Sequence, residues 1–387
     1  MSIDLTRVRT IDVHCHPFLP NERPYSEIEF LEELSLSVRP GMFDQKIKSK
    51  TGMMYSGLNM YMQITIQRLA KYFSCEPTIE AVVRKRNEYA GDFSSYTKEL
   101  FNNVKLEGLL VDFGYPTPAI SNKVFEEITG FPSWEVYRIE PVMDHLRDEC
   151  NRFTEFVEAY RNDLRTALEK KGVLGLKSII AYRSGLEIGP MNEKEASIQY
   201  ESFRENKRAT VKTLRDYCLH IAMEECTRAD KAMHIHTGVG DGEVLLHKAS
   251  PSLLVNMLRE DKYMNTKVHL VHGGYPWMEE AAFICSVLPN VYMDISLQNP
   301  FAGHGVKRII SQVFEFAPFN KVMYGSDAFT IPETNWLGVK LFKECFTEVL
   351  QSWVEKDYMS EEKAQTIGEL VLFRNFEEVY KKDIEHI

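Results

Sequence analysis

The feature that most constrains this chain is a rhythm. A short run rich in β-branched residues ends in a polar or ionisable side chain, a longer amphipathic stretch follows, and the pair recurs along the sequence. The runs are Thr10 to His14, Glu107 to Phe113, Val136 to Pro141, Leu174 to Tyr182, Ala232 to His236, Lys267 to His272, Asn290 to Ile295 and Lys321 to Gly325. Helical periodicity fills most of the intervals, at Asp144 to Lys171, Lys194 to Arg228, Gly242 to Arg259 and Met278 to Leu288, and closes the chain at Asn335 to Val354 and Ser360 to Tyr380. Strands joined through helices lie parallel with right-handed crossovers. Eight such units predict an α/β fold, a closed (β/α)8 TIM barrel. An open doubly wound sheet would carry a glycine-rich phosphate loop after its first strand, and none stands there.

The interval from Pro20 to Lys105 is too long for a βα loop, and its mix of aromatics, methionines and helical stretches is that of ordered chain. It is expected to be a helical insertion (20–105) over the barrel mouth, within one domain spanning 1–387. A formal charge of -10 spread along the chain argues against a nucleic-acid surface. Seven scattered cysteines without a CxxC pair suit a reduced compartment, so a cytoplasmic location is expected. The N-terminus lacks the basic-then-apolar plan of a signal peptide, and no run approaches the roughly 20 apolar residues of a membrane helix. Met1 is read as the natural start, the partner as a small-molecule substrate, and homo-oligomerisation as a default expectation.

The chemistry gathers at strand ends. IDVHCH places His14 and His16 two residues apart, so in extended chain both project from one face while Cys15 points away. Alone, HxH is a weak motif. Later strands end in further potential ligands, however: His236 in AMHIHTG, His272 in VHLVHGG and Asp327 in VMYGSDA. In a parallel barrel all these ends open on one face, where barrel active sites lie. Imidazoles with a carboxylate suit zinc, with iron, manganese or nickel as alternatives, and one or two divalent ions are expected.

With HxH after strand one, histidines after strands five and six and aspartate after strand eight, the chain resembles the amidohydrolase superfamily. IDVHCHPF, HTG, HGG and YGSDAF look most like the amidohydrolase-related (amidohydrolase 2) branch of TIM-barrel metal-dependent hydrolases. Within it, GLKSIIAYRSGLEI looks like the amidohydrolase-like half of certain glutamine-synthetase fusion proteins of fungi and plants. The resemblance implies that His14, His16, His236 and Asp327 bind metal, and that His272 binds a second metal or holds the attacking water. Lys177 falls where binuclear members place a carboxylated lysine that bridges two metals; otherwise it is a barrel lysine paired with Glu140 or Asp112. Asp327 is expected to act as general base and then general acid, beside a cation that can lower the pKa of water from roughly 15.7 to about 7.

Arg183, shaped to take a carboxylate bidentately, and Tyr182 are expected to bind substrate. Tyr275 and Trp277 of HGGYPW are expected as pocket walls. His234 should lie deeper on the face of His236 and His269 should face away from His272, both being structural. His145, His220, His247, His304 and His386 have no partner at a ligand-like spacing and read as surface or core residues, although His304 could reach the mouth. The expected activity is hydrolysis of an amide, ester or related bond in a small, carboxylate-bearing substrate. Nonhydrolytic decarboxylation or hydration is the alternative that the resemblance implies, and a non-catalytic metal-binding barrel is the reading from another class.

Overall fold

A computed structural model describes residues 3–20, 23–36, 57–116, 120–207 and 209–384. The recurring runs become β1 (Thr10–Cys15), β2 (Leu106–Val111), β3 (Ser133–Arg138), β4 (Val173–Ser178), β5 (Ala232–His236), β6 (Val268–Val271), β7 (Val291–Asp294) and β8 (Val322–Met323). All pair in parallel with their neighbours in chain order. Backbone hydrogen bonds join the first strand to the last: Val13 N–H donates to the Tyr324 carbonyl (3.0 Å), Asp327 N–H to His14 (2.8 Å) and His16 N–H to Ala328 (2.7 Å). The eight strands therefore form a nearly closed TIM barrel.

The layer of helices comprises α1 (Glu27–Leu34), α2 (Met60–Phe73), α3 (Ile79–Tyr89), α4 (Phe93–Val104), α5 (Asn122–Thr129), α6 (Glu140–Glu149), α7 (Phe153–Glu169), α8 (Glu193–Glu205), α9 (Lys212–Ala229), α10 (Met278–Val287), α11 (Val306–Val313) and α12 (Pro332–Glu355). Helix α7 shows why they form: Phe156, Tyr160 and Leu164, four residues apart, are all buried. Inside the ring, Ile11, Val13, Leu110, Val136, Leu174, Ala232 and Met323 make an apolar layer near the strand starts, and Phe376, Val379 and Tyr380 plug it. No helix among the described residues is long and apolar enough to cross a membrane.

Several boundaries differ from the sequence expectation for physical reasons. Strand β3 begins earlier, at Ser133, and it ends earlier because Pro141 lacks an N–H for a ladder and instead sits in the first turn of α6. The long helix expected over Asp144 to Lys171 is two, α6 and α7, and that over Lys194 to Arg228 is α8 and α9. Gly242 to Arg259 is mostly irregular chain with short turns and a four-residue helix at Val255–Leu258, Pro251 breaking its periodicity.

The described part of the stretch expected as an insertion (20–105) forms α1 to α4 against the barrel flank. Within it Arg86 of α3 is fully buried, donating through Nε to Glu333 Oε1 of α12 at 2.8 Å, with the Tyr96 hydroxyl donating to the same oxygen at 3.0 Å. The Tyr25 ring lies 4.5 Å from the guanidinium carbon. Removing one member of such a pair leaves a buried charge uncompensated, at a cost of about 3–5 kcal/mol. Arg86→Met is expected to lower the urea unfolding free energy by about that much, with partial recovery in Arg86→Met, Glu333→Gln. An unchanged midpoint would show that this pair does not fasten the insertion.

Candidate metal centre

The β1–β2 pairing shifts register between Asp12 and Cys15. Ile11 and Val13 thus stay in the apolar layer, while His14 and His16 turn into the mouth and Cys15 packs outside the ring. Asp327, just beyond β8, meets them: its Oδ1 lies 3.4 Å from His14 Nε2 and 3.3 Å from His16 Nε2. One potential ligand atom from each of the three lies within 4.8 Å of the others, and all three residues are buried. His16 Nδ1 stands 3.0 Å from the Asp112 carbonyl and donates to it, which leaves Nε2 as the bare nitrogen.

His236 and His272 line the same cavity, with ring centroids 4.4 Å apart, and His272 lies 5.1 Å from His14. His236 Nε2 and Asp327 Oδ1 are buried without a hydrogen-bond partner among the described residues. Lone pairs gathered in this way, with no donor between them, are costly unless a cation satisfies them. The residues present therefore fit a divalent ion with nitrogen and oxygen ligands. Lys177 Nζ donates to His14 Nε2 at 3.2 Å; Asp112 instead takes Arg138 bidentately, and Glu140 accepts from Ser178 and the Ile179 amide.

The cavity encloses about 340 Å³. Tyr182 and Arg183, expected from sequence to bind substrate, line it. The Tyr182 ring lies 4.6 Å from that of His236, and Arg183 faces Glu243 loosely, at 3.9 Å. Tyr275 and Trp277 do not line it: Tyr275 packs against the core with its carbonyl accepting from Val239 N–H, and Trp277 caps α10. No described residue of the insertion lines it either. Arg138, Tyr115, Ile179, Asp241, Glu243 and Leu297 also line it and are not among the site residues expected from sequence. Arg138 ends β3 and is hidden by the later strand boundary expected from sequence, whereas Glu243 falls inside the stretch Gly242 to Arg259 expected as helix and Asp241 just before it.

His234 does lie deeper on the face of His236, but His269 does not turn away from the interior. It stacks on His234 at 4.7 Å, and β6 ends at Val271 so that His272, with φ 70°, swings its ring into the mouth. His220 is a buried core residue bonded to Tyr263, His145, His247 and His304 are exposed, and His386 lies outside the described residues.

A family model described as "Amidohydrolase" matches residues 155–356. Protein fluG of Emericella nidulans is 28% identical over 230 residues, which is 56% of this chain and 26% of that protein, so the chain spans about a quarter of its relative's length. A provisionally named metal-dependent hydrolase of Lactobacillus casei superposes with a TM-score of 0.85 at 23% identity, over 98% of this chain and 97% of that one. Uronate isomerase of Thermotoga maritima does so with a TM-score of 0.68 at 13% identity, over 97% and 95%. At these identities the two structures speak for the fold.

Burial sets the electrostatics. It lowers His14 to about 3, with the Lys177 charge adding to the effect, lowers His272 to about 4, holds His236 well below the ordinary imidazole value and brings Lys177 down to about 8. Burial alone would raise Asp327, but His272, His14 and His16 hold it well below the carboxylate range. Imidazoles kept neutral in the fold stabilise it above the unfolded histidine pKa, about 6.5, and that stability is lost as pH falls towards the folded values. Asp12, raised by burial to about 7, acts the other way as a single group. The metal-free protein is expected to lose stability between pH 6.5 and 4.5, by up to about 1.4 kcal/mol per pH unit for each buried imidazole, with Asp12 offsetting part. Urea midpoints against pH, compared with a His272→Gln variant, check this; a flat profile would mean the imidazoles protonate freely.

Proposed function

The chain belongs to the amidohydrolase family, and on that premise we propose that it is a metal-dependent hydrolase cleaving an amide, ester or related bond in a small, carboxylate-bearing substrate. The observation that carries this reading is Asp327 Oδ1, buried between the Nε2 atoms of His14 and His16 and without a hydrogen-bond donor among the described residues. His14, His16, His236 and Asp327 would hold the ion, zinc first among the candidates. When bound, it supplies Lewis acidity that polarises a carbonyl and makes water a better acid.

The remaining work falls to the chain's own residues. Asp327 takes a proton from the attacking water and returns it to the leaving group. His272 Nε2, 4.0 Å from Asp327 Oδ2, faces the same space and holds that water. Arg183 exchanges its loose contact with Glu243 for the substrate carboxylate, and Tyr182 with Ile179 walls the cavity against bulk water. Lys177 is the group that would have to be carboxylated to bridge to a second ion, and the amine with its pKa brought down by burial is suited to that.

The test is a screen of zinc-reconstituted protein against N-acyl amino acids and carboxylate-bearing esters. Hydrolysis is expected, with Asp327→Asn folded but slowed by about 100- to 10,000-fold and Arg183→Ala raising KM more than it lowers kcat. Turnover surviving in Asp327→Asn, or carbon dioxide released in place of a hydrolysis product, would overturn the proposal.

A further inference from the structure

Behind His272 lies a fully buried polar chain that the proposed reaction does not use. Asp294, at the end of β7, accepts on Oδ1 from the backbone N–H of His272 (3.0 Å), from that of Ser296 (2.8 Å) and from the Ser296 hydroxyl. Its Oδ2 lies 2.7 Å from His269 Nε2, and Ser296 Oγ lies 2.8 Å from His272 Nδ1. Asp294, Ser296, His269 and His272 are each 2% exposed or less.

Proton counting fixes the direction of every bond. Asp294 Oδ1 already receives two backbone N–H groups, which cannot be acceptors, so the oxygen is an acceptor throughout. The single proton of the Ser296 hydroxyl is therefore given to Asp294, and Ser296 Oγ can only accept from His272. The proton must then reside on His272 Nδ1, leaving Nε2 with a bare lone pair. His272 is also held by its carbonyl, which accepts from Gln298 Nε2 at 3.0 Å, and its positive φ is kept by these three tethers. The glycine at 325 lets the serine come close: a Cβ there would stand 2.8 Å from Ser296 Cβ.

We propose that Asp294 and Ser296 are positioning residues that lock His272 in its Nδ1–H tautomer, so that Nε2 offers the reaction a lone pair and not a proton. Nε2 faces Asp327 Oδ2, another acceptor, at 4.0 Å. Two acceptors so placed are reconciled by a cation or by a water donating both its protons. His272 therefore receives or holds and does not polarise a substrate carbonyl by donation. The inference deepens the function proposed above and rests on it for the use made of the lone pair, but not for the tautomer itself.

Long-range proton–nitrogen NMR of the full chain labelled with nitrogen-15 histidine reads the tautomer, His272 being assigned by its loss in His272→Gln. The measurement is made on chelated and on zinc-reconstituted protein, with metal content determined in parallel. The wild type is expected to give a single Nδ1–H signature in both. Ser296→Ala is expected to lose that single signature in the chelated protein while its other histidines keep theirs, a change that a merely space-filling serine would not produce. A wild-type spectrum with the proton on Nε2, or mixed, overturns the proposal even if the variant fails to fold. An unchanged Nδ1–H signature in folded Ser296→Ala does so as well. Either result can occur with full metal content, so it is separable from failure of the hydrolase reading.

Discussion

One contact joins the last strand to the first and builds the site at the same time. The Asp327 amide donates to the His14 carbonyl at 2.8 Å, and the side chains of the same two residues meet 3.4 Å apart in the mouth. Ring closure and assembly of the proposed metal site are therefore not separable in this chain. Because parallel strands open all their carboxyl ends on one face, the other contributors, Lys177 of β4, His236 of β5 and His272 after β6, need only end their strands correctly to arrive at the same place.

That arrival has a cost, which the rest of the fold bears. His272, Leu297 and Asp327 line the cavity with φ values of 70°, 65° and 55°, and non-glycine residues held there cost of order 1–3 kcal/mol each. Neutral imidazoles and an unsatisfied carboxylate oxygen are also kept from water. The offset comes from the helical layer and from the plug of Phe376, Val379 and Tyr380, which remove apolar surface from water. Tyr380 even reaches inward to the first of the stacked histidines, its hydroxyl 2.8 Å from His234 Nε2.

Much of this was legible in the sequence. Eight strands were found because each is a β-branched run bounded by helical periodicity, and β5 matches residue for residue. The cluster of His14, His16 and Asp327 was legible because position at a strand end is a property of sequence order. Legibility failed where tertiary context decides. Asp241 and Glu243 reach the cavity from an irregular loop whose spacing imitates a helix from Gly242 onward, and Tyr275 and Trp277 follow a turn that carries them away. His269 misled because a three-residue spacing predicts opposite faces only while the strand continues, and β6 stops at Val271. Asp294 and Ser296 carry no signal at all in one dimension, since their role exists only once the serine's single proton is shared out.

The barrel mouth is proposed to be a metal centre. It is tested most directly by elemental analysis of metal per chain in protein purified without chelator, beside a His14→Ala, His16→Ala variant of matching circular dichroism. At least one divalent ion per chain is expected in the wild type, and its loss in the variant. No metal even after reconstitution, or equal content in the two proteins, would contradict it.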